Sequence, residues 1–384
     1  MTRFYFDHNA TTPISQEVLD QYLPVLLEVF GNASSIHQDG QIARQKLEEA
    51  RAQVAGLLNC SGREIVLLSG GTEANNLAIF GTMAATERRH VITTTIEHPA
   101  VLNPCAELQR RGCEVTWLKV GSSGIVDPAD LRIAIRSDTA IVSVAHVNNE
   151  IGTIQPIAEL ASIAHSVGAV MHSDGVQACG RIPVNVRELG VDLYSISGHK
   201  MYAPKGVGAL YVRKGTKLTS QMFGGRHEQE RRAGTENVAG AVALGAAAES
   251  ARTRLTEDVR RISALRDRLE QGISARIPDV KVNGDKISRI AGTTNICFDG
   301  IEGEPLVISL DLKGFAVSSG SACSSGAVTP SHVLTAIGLS ASQAKSSVRF
   351  SLGRTNTAEQ VDALIDAVCS SVEHLRKLSP SYQK

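Results

Sequence analysis

HSDGVQ at residues 172–177 and SISGHK at residues 195–200 each close an apolar run, at 169–173 and 193–197, and their reading decides the fold. In an open α/β sheet, ligands bind in the crevice outside the carboxyl ends of the strands. Two polar segments that end two successive strands therefore face one crevice, and Asp174 and Lys200 can address one ligand. Taken singly, the better reading of Asp174 is a helix N-cap and that of Lys200 a solvated surface charge.

Working outward, the same rhythm covers most of the chain. Residues 41–58 carry apolar positions at helical spacing and are followed by the strand-like run 64–68. Further strands are expected at 90–95, 113–118, 140–146 and 208–212, most with helical stretches between them. The fold class is α/β, with a large domain built on a mainly parallel mixed sheet covered on both faces. Residues 237–277 read as long helical material bridging to a smaller α+β domain, which has strands at 293–298 and 347–351 and a closing helix at 358–378. The expected division is 15–254 for the large domain and 1–14 with 255–384 for the small one, since single cores stop growing near roughly 250 to 300 residues.

Composition narrows the function. Lys+Arg and Asp+Glu number 39 each, for a formal net charge of +0, so no global field steers the chain onto nucleic acid or an anionic membrane. The opening MTRFYFDHNATTPI has no apolar run long enough for a signal sequence, and no stretch of about 18 apolar residues occurs anywhere. The expected location is the cytoplasm. Cysteines at 60, 105, 113, 179, 297, 323 and 369 form no CxxC pair, which argues against a disulfide framework and against a zinc site.

A third segment joins the first two. SGGTEANN at 69–76 follows an apolar strand and opens a helical stretch at 77–86, so small residues, the Thr72 hydroxyl and a helix N-terminus are available to a phosphate. Alone it is equally an ordinary capped turn. With an aspartate for a protonated pyridine nitrogen and a lysine for a Schiff base, it completes the needs of pyridoxal phosphate.

Together with DHNATTP at the N-terminus, EHPA around His98, HVNNEIG around Asn149, SGHKMYAPKGVGALYV around Lys200, RRAGTEN around Thr235, SGSACSSG around Cys323 and SVRFSLGR around Arg349, these runs resemble the cysteine desulfurases of the class V aminotransferase family over essentially the whole chain. The resemblance implies fold type I of the pyridoxal-phosphate-dependent transferases and an obligate homodimer. It implies that Lys200 carries the cofactor, Asp174 pairs with the pyridine nitrogen, Gln177 bonds the ring hydroxyl and His98 stacks on the ring and assists proton transfer. Gly71, Thr72, Ser197 and His199 would bind the phosphate, with Thr235 reaching the phosphate of the neighbouring subunit. Asn149 and Arg349 would place the substrate L-cysteine, Arg349 by forking onto its carboxylate.

Cys323 lies in a Gly/Ser-rich stretch, 318–326, whose composition suits an exposed loop. By resemblance it is the nucleophile that takes sulfur as a persulfide, in the family's longer-loop version, before delivery to an acceptor protein. Members that serve the housekeeping iron–sulfur scaffold carry a longer C-terminal tail than the segment after residue 378, so iron–sulfur assembly, nitrogenase-type cluster supply and tRNA thiolation all stay open. The rivals are a selenocysteine lyase or small aminotransferase of the same fold, and a sulfur carrier without pyridoxal chemistry.

Overall fold

The computed structural model of the chain describes residues 3–319, 329–379 and 382. After strand β1 (Phe4–Tyr5) and helices α1 (Gln16–Glu28) and α2 (Gln38–Leu58), the two element types alternate. They run β2 (Ile65–Leu68), α3 (Gly71–Ala84), β3 (His90–Thr94), α4 (Pro99–Arg110), β4 (Glu114–Leu118) and α5 (Pro128–Ala134), then β5 (Thr139–Ser143), α6 (Ile157–Ser166), β6 (Val170–Asp174), α7 (Val186–Leu189), β7 (Leu193–Ser197) and β8 (Gly208–Val212). Their strands form a seven-stranded sheet in the order β2-β8-β7-β6-β5-β3-β4. β3 through β7 pair in parallel, while β8 runs antiparallel to both of its neighbours. The sheet is therefore mixed and mainly parallel, as the alternation implies. Every residue of β3, β5 and β7 is buried, which is why these strands read as continuous runs rather than as alternating ones.

Helix α8 (Val238–Arg276) has 39 residues and a length of about 58 Å at 1.5 Å per residue. Its alanine-rich first half packs into the core under the large sheet, with α2 and Tyr194. Its second half places Ile262, Leu265, Leu269 and Ile273, at helical spacing, in a separate cluster with Phe6, Phe298, Phe350 and Val368.

That second cluster is enclosed by β9 (Val280–Val282), β10 (Thr293–Phe298), α9 (Gly303–Leu312), β11 (Phe315–Ala316), β12 (Ser318–Ser319), β13 (Ser347–Ser351) and α12 (Ala358–Leu378), while α10 (His332–Ala336) and α11 (Ala341–Lys345) pack in a smaller cluster with Ile96 and Ile151. Four of these strands make an antiparallel sheet in the order β12-β13-β10-β9. β1 pairs in parallel with β11, so the N-terminal residues are sewn onto the C-terminal part of the chain.

One local result differs from the sequence reading. Helix α3 begins at Gly71, six residues earlier than the expected 77, because the glycine-rich turn is itself the first turn of the helix. Helix α1 forms despite Pro24 in its interior, the kind of residue that ordinarily argues against a helix. Among the described residues no helix is long and apolar enough to cross a membrane.

Candidate active site

The carboxyl ends of β6 and β7 lie side by side, with Asp174 opposite Ser195 in a parallel ladder. Beyond them opens a cavity of about 400 Å³. Gly71, Thr72, His98, Asn149, Asp174, Gln177, Ser197, His199, Lys200 and Arg349 all line it, so ten of the residues singled out from sequence meet in one place. They come from six separate stretches of chain, which only the fold unites.

Asp174 is the last residue of β6. Its carboxyl group accepts from Asn75 Nδ2 at 2.7 Å and from the Val176 amide at 2.9 Å. Asn75 sits one turn into α3 from Gly71, so the same helix that offers its N-terminus to the cavity also fixes Asp174. The Asn75 Oδ1 atom is buried and has no hydrogen-bond partner among the described residues. A Cβ on Gly71 would lie 2.7 Å from Val176 Cγ2, so only glycine leaves the floor of this cradle open.

Lys200 ends the single 3₁₀ turn Gly198–Lys200 that follows β7. Its Nζ donates to the carbonyls of Asn9 at 2.5 Å and Ala10 at 2.6 Å. Burial lowers its pKa to about 7, with the Arg181 and Arg349 cations adding to the effect and Asp7 and Asp174 opposing it. Gln177 Nε2 donates to the same Asn9 carbonyl at 3.0 Å. His199 Nδ1 meets Thr11 Oγ1 at 3.1 Å, and burial next to Lys200 and Lys205 lowers its pKa to about 4.

His98 is the N-cap of α4, with Nδ1 accepting from the Ala100 amide at 3.1 Å. The residue lines the cavity. Burial lowers its pKa, with Lys200 and His332 also lowering it and Asp174 raising it.

Arg349, on β13, donates from Nη2 to Asp7 Oδ1 at 2.7 Å and from Nη1 to the Asn149 carbonyl at 3.0 Å. Its Nε is buried without a partner among the described residues.

Thr235 does not join the group. It is exposed in the segment between β8 and α8 and lines no part of this cavity. Cys323 lies outside the described residues. The flanks of its segment are placed, however. Ser318 on β12 stands opposite Arg349, while Ser331 Oγ donates to Glu150 Oε2 at 2.5 Å and His332 Nε2 lies 2.9 Å from the Glu97 carbonyl.

Asn9, Asn75, Asp7 and Arg181 were not singled out from sequence. Asn75 lies inside the quoted SGGTEANN and Arg181 one helical turn after Gln177, so spacing could have marked both. The roles of Asp7 and Asn9 depend on partners more than 100 residues away, for which the sequence offers no signal.

Residues 4–364 match the family Aminotransferase class-V. Over 382 residues the chain is 47% identical to cysteine desulfurase IscS of Dictyoglomus turgidum, covering 99% of this chain and 97% of that one. The chain is a member of the cysteine desulfurase family. Among solved structures it is similar to a NifS-like protein, with a TM-score of 0.92 and 34% identity over 97% of this chain and 100% of that one. It is also similar to SspA in complex with cysteine, with a TM-score of 0.82 and 34% identity over 93% of this chain and 100% of that one.

Pyridoxal phosphate is the cofactor of this desulfurase family, and the residues of the cavity fit it. The glycine floor at the α3 N-terminus suits a phosphate, the doubly held Asp174 suits a ring nitrogen, and a lysine amine with its pKa near neutrality suits a carbonyl carbon.

Proposed function

We propose that this chain takes the sulfur of L-cysteine onto its own Cys323 and releases alanine, then passes the sulfur to an acceptor protein. The observation that carries the reading is the convergence of Lys200, Asp174, His98 and Arg349 on one cavity at the carboxyl end of the sheet. Pyridoxal phosphate, when bound, supplies an electron sink that stabilises negative charge next to the substrate's Cα.

The chain's own residues do the rest. Asp174 would keep the ring nitrogen protonated, and Gly71, Thr72, Ser197 and His199 would hold the phosphate. Gln177 would bond the ring oxygen, and His98 would stack on the ring. Arg349 lines the cavity beside Asn149, where its guanidinium would meet the substrate carboxylate. Lys200 removes the Cα proton, a task that suits an amine whose pKa is about 7.

The Cys323 thiolate then attacks the substrate sulfur. An S–S bond forms, the Cβ–S bond breaks, and its electron pair ends as a C–H bond in alanine. The sum of cysteine and enzyme thiol equals alanine and enzyme persulfide, with no external oxidant or reductant. Cys323 is four residues beyond Ser319, a contour of at most about 14 Å, and the strand leading to it pairs with Arg349.

The proposed partners are a second copy of the chain and an acceptor protein, either an iron–sulfur scaffold or a tRNA-thiolation enzyme, in the cytoplasm. The exposed Thr235, placed away from its own cavity, supports a role toward a neighbouring subunit. The test compares alanine and sulfide release from L-cysteine, with a reductant present, between the protein and Cys323→Ser. Equal alanine and sulfide from the parent, at least about 100-fold lower in the variant while the visible cofactor absorbance persists, is the expected result. Full sulfide release by the variant would defeat the role of Cys323.

A further inference from the structure

Arg181 stands behind the cavity and touches no ligand-facing atom of its own. Its Nη1 donates to Asn9 Oδ1 at 2.5 Å and to Gln177 Oε1, and its Nη2 donates to the His8 carbonyl at 3.0 Å. All three acceptors are neutral oxygens. Among the described residues no carboxylate lies within ion-pair distance of this guanidinium, whereas Arg349 nearby is paired with Asp7. A largely enclosed cation without a counter-charge is costly, so its place needs a reason.

The network supplies one. Asn9 is 3% exposed and is held on every side. Its backbone N–H donates to Ser351 Oγ at 2.9 Å, while its Nδ2 donates to Thr293 Oγ1 at 2.9 Å and to the Asn149 carbonyl at 3.0 Å. The Asn9 carbonyl in turn receives both Lys200 Nζ and Gln177 Nε2. A guanidinium can only donate, so Gln177 must turn its oxygen to Arg181 and leave its amide N–H groups for Asn9 and the cavity.

We propose that Arg181 is a positioning residue for the reaction: through Asn9 and Gln177 it fixes the resting place of the Lys200 amine and the direction of the Gln177 amide, and it brings an unneutralised positive charge to that amine. The inference rests on the reading of Lys200 as the cofactor-bearing lysine. Other charges facing Lys200 are Arg349, Asp7 and Asp174, with His98 and His199 beside it. The two acids offset the Arg349 charge, and Arg181 stands as the cation with none of its own. The lowered pKa of Lys200 agrees with this arrangement, Arg181 being the first of its charged causes.

The experiment is a pH titration of the visible absorbance of the purified full-length protein with its cofactor, for the parent and for Arg181→Met, Arg181→Lys and Asn9→Asp. Removing the charge in Arg181→Met should raise the midpoint by about one pH unit, as expected for loss of a charge at contact range. Arg181→Lys keeps the charge and should stay close to the parent. Asn9→Asp is nearly isosteric and neutralises the guanidinium in place, so it should raise the midpoint as well and serves if Arg181→Met does not fold. A parent-like midpoint in either charge-removing variant overturns the proposal. Borohydride reduction of the parent followed by peptide mass analysis separates the two levels. A cofactor tag on another lysine defeats the reading of Lys200, whereas a tag on Lys200 with an unmoved midpoint defeats only the role of Arg181.

Discussion

Lys200 is useful because its surroundings disagree about its proton. Two backbone carbonyls welcome an ammonium, while burial and two guanidinium groups resist one, and the outcome is a pKa of about 7 instead of the ordinary 10.5. The sign of the pH dependence follows. A general base works unprotonated, so proton removal from the substrate Cα should fall as pH drops below about 7 and level off above it. Deuterium exchange at Cα of L-cysteine by the Cys323→Ser variant measures this step apart from sulfur transfer. A rate that does not change between about pH 5.5 and 8.5 would remove Lys200 from the proton-transfer role. His98 and His199 carry lowered pKa values for the same underlying cause, burial.

At the scale of elements, the site is made by ends. Strand ends supply Asp174 and Ser197, a helix start supplies Gly71 and Thr72, another helix cap supplies His98, and a strand of the second sheet supplies Arg349. Most of this was legible in the sequence, because each motif joins an apolar run of recognisable period to a polar terminus. The contacts of the N-terminal segment with the site were not. That segment forms only a two-residue strand, and its carbonyls reach Lys200 across 190 residues of chain, a contact with no local signature. Helix α8 was legible in extent but not in its division between two cores, which depends on packing and not on propensity. The assignment of residues 15–254 and of 1–14 with 255–384 to two domains remains our proposal, supported by those separate hydrophobic clusters. Leu269, fully buried in the second cluster, tests how much α8 contributes there. Leu269→Ala should destabilise the fold by about 2–5 kcal/mol, read as a lower urea midpoint, and a loss under about 1 kcal/mol would show that α8 is peripheral to that core.

At the scale of the whole molecule, Thr235 is the residue that does not fit a single chain. The sequence reading gave it to the phosphate of a neighbouring subunit, and in the protomer it is exposed, in a segment whose base is pinned by Glu228. That carboxylate takes both Arg51 Nη1 at 2.6 Å and Arg51 Nη2 at 2.8 Å, as well as the Leu67 amide at 2.8 Å. Residues 228, 229 and 230 all hold positive φ without being glycine, at 46°, 58° and 64°, a strained turn that this buried pair keeps in place. If Thr235 serves the partner, two defective proteins should repair one another. Lys200→Ala has no cofactor lysine, and Thr235→Val has a weakened phosphate site in the partner. In the mixed dimer, the cavity that keeps Lys200 comes from the Thr235→Val chain and receives the intact Thr235 of the Lys200→Ala chain. Co-expression of the two, with the mixed dimer purified on two different tags, should restore about half of the parental activity per dimer, since one of two cavities is whole. Activity no higher than the Thr235→Val chain contributes by itself would return Thr235 to its own subunit.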